Sequence, residues 1–113
     1  MGSLSFEQAY GYFKEIVIAG TQAGADLIVF ETMSDLYEVK AALLAAKENS
    51  DLPVFVTMSF EENGRTFTGC TIESFGMTAS ALGADAIGMN CSTGPDAMAA
   101  KIARLASVSS VPV

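Results

Sequence analysis

The chain is 113 residues long and half hydrophobic, with six basic and thirteen acidic side chains, a formal net charge of −7 and no histidine. That length suits one modest domain or part of a larger one. No basic patch is present to meet nucleic acid or an anionic membrane, and no run approaches the roughly 18 apolar residues needed to span a bilayer.

Without histidine, a histidine base, a Cys/His dyad and any His-containing metal site are excluded within these residues. Cys70 and Cys91 are too few for a disulfide framework. The N-terminus lacks the basic-then-apolar order of a signal peptide, so a reducing cytoplasm is the expected compartment.

Ser5, with Gln8 three residues on, reads as a capping box. Ala9, Phe13, Ile16, Val17 and Gly20 then recur on one face of a helix. Gly24 ends that helix, and Leu27 to Phe30 read as an apolar strand buried on both faces. Ser34 or Asp35 opens the next helix, with Glu38 favourable near its positive end and Leu36, Val39, Leu43 and Ala46 as its buried stripe. Pro53 begins a second strand, Val54 to Ser59.

The polar stretch "EENGRTFTG" carries an Asn63-Gly64 turn, with Glu61 and Glu62 as solvated charges. A helix from about Ile72 to Leu82 leads to a third strand, Ala86 to Asn90. Gly94-Pro95 starts a further helix to about Ala106, proline being suited to the first helical position. Val111-Pro112-Val113 reads as the start of a fourth strand. Tyr10 and Tyr37 are expected to pack from helices against the sheet, and the scattered methionines to fill the core.

Two matches share one offset. "AGADLIVFETM" resembles "LGADAIGMNCS", with Gly24 against Gly83, and "LPV" at 52 to 54 resembles "VPV" at 111 to 113; both lie 59 residues apart. A repeat holding two strands gives about 30 residues per βα unit. Short βα loops and intervening helices imply a parallel sheet, either doubly wound or a (β/α)8 barrel. No GxGxxG follows a strand, which weakens the dinucleotide-binding version of the first. Because a barrel takes about 250 residues, the barrel reading makes the chain a fragment.

Sites in either architecture form where strands end. The strand ends "FETM", "TMSF" and "MNCS" therefore bring Glu31 and Cys91 to one rim. A glutamate after "LIVF" is costly to desolvate without a partner. On position alone it divides evenly between a carboxylate tied to neighbouring amides or hydroxyls and a ligand-binding group. Cys91 alone reads more readily as core filler. Nothing separates Thr57 and Ser59 from ordinary barrel-filling residues, and Cys70 matches no ligand position.

The stretches "GADLIVFETMSDLYEVKAALLAAKE", "LPVFVTMSFEENGRTFTG" and "GADAIGMNCSTGP" together resemble the homocysteine S-methyltransferase family, and within it the homocysteine-binding barrel of bacterial cobalamin-dependent enzymes. The likeness runs from about Ser5 to the end. It implies a partial (β/α)8 TIM barrel: about strands 4 to 6 with their helices and the start of strand 7, residues 1–113 being a fragment of the homocysteine-binding domain.

By the same resemblance Cys91 is one of three thiolate ligands to a catalytic zinc, the other two lying beyond Val113. Glu31 binds the homocysteine ammonium group, and Asn90 belongs to the substrate site in a supporting role. Methylcobalamin is favoured as methyl donor, with S-methylmethionine or betaine as alternatives. Folate- and cobalamin-binding domains of the parent enzyme are the implied partners. The fragment alone is expected to be inactive and to self-associate through its open strand edges. A non-catalytic α/β barrel-derived binding or assembly domain is the alternative from another class. Another barrel enzyme using Glu31 with a hard metal leaves Cys91 unexplained.

Overall fold

The computed structural model describes residues 2–91 and 93–113 and alternates helix and strand throughout. The order is α1 (Phe6–Gln22), β1 (Ile28–Met33), α2 (Leu36–Asn49), β2 (Val54–Met58), α3 (Ile72–Ala81), β3 (Ala86–Met89) and α4 (Pro95–Val108). The three strands form one parallel sheet in the order β1-β2-β3. Sequential parallel neighbours joined by helices are right-handed crossovers by rule, and such crossovers deliver every helix to the same face.

The helix ends follow from local chemistry. Ser5 and Gln8 form the reciprocal capping box, at 3.0 and 3.2 Å. Asp35 caps α2 by accepting from the Glu38 amide, and Thr71 caps α3 by accepting from the Ser74 amide. Pro95 occupies the first turn of α4, where its missing N–H costs nothing.

The 59-residue repeat is structural. Gly24 and Gly83 take left-handed φ of 87° and 89°. The amides around them close α1 and α3 by equivalent bonds, Ala25 to Gly20 and Ala84 to Ala79, both 3.1 Å. At the strand entrances the Ile28 amide donates to the Pro53 carbonyl at 2.9 Å, and the Ile87 amide donates to the Pro112 carbonyl at 3.0 Å. Val111 to Val113 are thus not a strand, but Pro112 stands beside β3 as Pro53 stands beside β1.

The core lies between the sheet and the helices. Phe30, Val54, Val56, Met58 and Ile87 meet Val17, Val39, Leu43, Ile72, Phe75 and Leu105 in one cluster. The opposite face is bare: Leu27, Val29 and Phe55 are 42%, 51% and 40% exposed. Burial of the strands on both faces is therefore not found, because all four helices contribute to a single cluster on one side. Helices on one side, with strand order never reversing, suit a barrel and equally one half of a doubly wound sheet, whose helices change face only where the strand order reverses.

Two other expectations are corrected by the same geometry. Ile16 is exposed, while Phe13 and Gly20 of the same stripe are half-buried and Ala9 and Val17 buried, since the Ile16 flank of α1 looks past the edge of β1 rather than into the core. Tyr37 points to solvent with Lys40 5.2 Å from its ring centre, and Tyr10 donates to Glu48 instead of packing on the sheet. Among the methionines, Met33 and Met58 are buried and Met77 is exposed.

Charged side chains tie layers together. Lys101 of α4 is buried and donates to the Glu61 carbonyl at 2.7 Å, anchoring the loop after β2. Asp85 accepts from Lys47 at 2.6 Å and from the Val54 amide at 2.8 Å, joining α2, β2 and the start of β3. The Lys47 bond, then the Val54 amide, hold the Asp85 carboxyl below the usual aspartate range.

A depressed carboxylate stabilises the fold above its unfolded pKa and loses that contribution as pH falls through its folded value. Asp85→Asn is expected to be less stable than the parent at neutral pH. The two should converge as pH falls below 3.8, the ordinary aspartate value. Denaturant midpoints measured across that range check this, and a gap that persists at low pH would contradict it.

Candidate functional site

The C-terminal ends of the three strands form one edge, and the polar side chains collect there. Between Phe30 and Met33 β1 advances three residues while β2 advances two, from Val56 to Met58. The extra residue makes a β-bulge at Glu31-Thr32, with Thr32 at φ 58°. A bulge re-aims side chains and frees backbone groups from the ladder. Here the freed Thr32 amide donates to Thr57 Oγ1 at 3.1 Å.

Cys91, 59 residues on from Thr32, takes the same φ of 58° at the end of β3. Its carbonyl accepts from the Thr93 amide at 2.7 Å, turning the chain out of the sheet. Positive φ at a non-glycine residue is uncommon, and for a β-branched threonine it is a true outlier. Two such residues at equivalent strand ends mark this edge as specially built.

Asn90 is the hub. Its Oδ1 accepts from Thr57 Oγ1 at 2.8 Å, and its Nδ2 donates to Thr32 Oγ1 at 2.6 Å. The same Nδ2 lies 3.5 Å from Glu31 Oε2 and 3.4 Å from Cys91 Sγ. Thr32 Oγ1 in turn donates to Glu31 Oε2. Glu31, Asn90 and Cys91 are thus brought together, although Glu31 and Cys91 do not sit on adjacent strands. β2 runs between them, and the Asn90 amide spans the gap. Strand alternation does not keep Asn90 and Cys91 apart, because the left-handed turn at Cys91 brings its sulfur back toward the amide.

Glu31 and Cys91 are both exposed. Among the described residues no lysine or arginine pairs with Glu31, whose Oε1 has no hydrogen-bond partner. The edge can therefore offer a carboxylate oxygen to a cation and a thiol to an electrophile or a metal.

Cys70 plays no part. It is half-buried, its sulfur bonds to the Thr71 carbonyl at 3.3 Å, and burial, reinforced by the negative charge of Asp35, pushes its thiol pKa up. Glu61 and Glu62 are exposed loop charges, as expected. Among the described residues no group of three or more Cys, Asp or Glu side chains can hold a metal. A zinc site takes three or four protein ligands. One exposed thiol and one carboxylate do not by themselves make such a site.

Sequence reasoning did not single out Thr32, and it placed Thr57 at the rim without separating it from barrel-filling residues. Both are small polar residues at strand ends, a pattern shared with many barrel-filling positions. The bulge that recruits them shows only in the register.

The homocysteine S-methyltransferase family model matches residues 1–113. The methionine synthase of Mycobacterium leprae is 30% identical over 118 aligned residues, covering all of this chain. That of Mycobacterium tuberculosis is 32% identical over 106, covering 89%. The chain spans about a tenth of the length of these curated relatives (10% and 9%). The crystal structure of the homocysteine methyltransferase MmuM from Escherichia coli in its apo form superposes with a TM-score of 0.86 at 19% identity, covering 98% of this chain and 42% of that one. It shows that the fold is shared.

Thr32→Val keeps the shape and removes the hydroxyl that links Asn90 to Glu31. The variant should lose about 1 kcal/mol of stability, the ordinary net worth of partly exposed hydrogen bonds. Chemical denaturation checks this. An unchanged midpoint would mean that the network does not contribute to the folded state.

Proposed function

The chain belongs to the homocysteine S-methyltransferase family, and from that premise we propose that its strand-end edge is part of a site that binds homocysteine for methylation to methionine. The observation that carries this reading is the meeting of a carboxylate without an internal cation and an exposed thiol around one amide, Asn90. Homocysteine has the complementary groups: an ammonium at one end and a thiol at the other.

In this reading Glu31 Oε1 receives the substrate ammonium, while the Thr32 hydroxyl occupies Oε2 and fixes the carboxylate's orientation. Cys91 is one sulfur ligand of a zinc ion whose other ligands lie outside residues 1–113. Zinc bound there would hold the substrate sulfur as thiolate at neutral pH, where a free thiol is mostly protonated. The favoured methyl donor is methylcobalamin carried on another domain of a longer enzyme. Residues 1–113 then form three βα units of a (β/α)8 barrel, with the bare face of β1 and β2 turned toward the barrel interior.

The test uses the complete natural chain that contains these residues. Cys91→Ser should lose stoichiometric zinc and methionine formation while keeping its circular dichroism spectrum. Glu31→Gln should keep zinc and raise the KM for homocysteine, by about tenfold to a hundredfold for a charged hydrogen bond worth about 1.5–3 kcal/mol. Retained zinc and near-normal turnover in Cys91→Ser would overturn the reading.

Residues 1–113 alone should neither bind zinc tightly nor methylate homocysteine, since one thiolate cannot hold the metal. Their open sheet edges and exposed Val29 and Phe55 should drive self-association. Sedimentation that shows only monomer at micromolar concentration would contradict the second expectation.

A further inference from the structure

The hydrogen bonds at the strand-end edge have only one possible direction. They begin at the Thr32 backbone N–H, which can only donate, and end at the Glu31 carboxylate, which can only accept. The Thr32 amide fills an acceptor position on Thr57 Oγ1, whose proton goes to Asn90 Oδ1 at 2.8 Å. With Oδ1 so committed, the Asn90 Nδ2 must face the other way, toward Thr32 Oγ1, Glu31 and Cys91. Thr32 Oγ1 accepts from it and passes its own proton to Glu31.

Thr57 is the sole member on the central strand, and it touches groups from both flanking strands. An asparagine amide has two orientations that differ by a half-turn and occupy the same volume. The reversed one would place Oδ1 beside the Glu31 carboxylate and the Cys91 sulfur, where it repels the first and donates to neither. We infer that Thr57 is a positioning residue of the substrate site: by accepting from the Thr32 amide and donating to Asn90 Oδ1, it locks the Asn90 amide with its N–H groups toward Glu31 and Cys91. This rests on the homocysteine reading above and adds a determinant on β2 that touches neither substrate nor metal.

The experiment compares Thr57→Val, Thr57→Ser and Glu31→Gln in the complete natural chain. Thr57→Val should raise the KM for homocysteine about tenfold, the lower end for loss of an outer-shell partner, and change kcat by less. Thr57→Ser keeps the hydroxyl and should restore the parent KM. In residues 1–113 the side-chain amide resonances of Asn90 should move to free-asparagine positions in Thr57→Val and stay in Thr57→Ser.

If Thr57→Val does not fold, Thr57→Ala takes its place, because a smaller residue is accommodated at this half-buried position. A rise in KM with Glu31→Gln but not with Thr57→Val or Thr57→Ala overturns the inference and leaves the proposed function standing. No change with any variant overturns both. Loss of thermal stability in Thr57→Val without a change in KM or in the Asn90 resonances also overturns it, because that is what a purely structural threonine would give.

Discussion

Everything at the site depends on the right-handed crossover between parallel neighbours. Each strand that turns right through a helix and returns beside its predecessor leaves its helix on the same side of the sheet. Three such strands in the order β1-β2-β3 point their C-terminal ends one way. The helix-side cluster of Phe30, Val54, Val56, Met58 and Ile87 supplies the apolar packing of the sheet, so the opposite face and the strand-end edge are left out of the core. Side chains costly to bury can collect there.

The repeat explains how one edge acquires matched features. Glu31 and Asn90 are 59 residues apart, as are Thr32 and Cys91, and the second pair shares a φ of 58°. One backbone device, an extended strand ended by a left-handed residue, is used twice. In β1 it forms a bulge and aims a carboxylate; in β3 it turns the chain and returns a thiol toward the asparagine before it. Thr57 joins the two halves from the strand between. The strain of two non-glycine residues at positive φ is of order 1–3 kcal/mol each. It is offset by helix-side packing, and it is located where the family's chemistry is expected.

Much of this was legible in the sequence because it rests on local chemistry. The capping box at Ser5, the Asp35 cap, Pro95 and the positive-φ glycines Gly24 and Gly83 each declare a helix end by a side chain or a missing one. The order and parallel sense of the strands followed from alternation with helices and the offset of the repeat. What stayed hidden depends on non-local pairing. Val29 and Phe55 are apolar like their neighbours, and only the one-sided placement of the helices shows them bare. The bulge at Glu31-Thr32 depends on register against β2, which no property of β1 records. Hence Glu31, Asn90 and Cys91 could be named from motif and position, while Thr32 could not and Thr57 could be placed at the rim but given no role.

The central claim is that Glu31 and Cys91 serve the two ends of one substrate, and the most direct measurement is crystallographic. Anomalous diffraction at the zinc edge, from the complete natural chain grown with homocysteine, locates the metal and the amino acid together. The account predicts zinc about 2.3 Å from Cys91 Sγ, the usual zinc–thiolate distance, with the homocysteine ammonium on Glu31 Oε1. Zinc held without Cys91, or an amino acid bound away from Glu31, would contradict it.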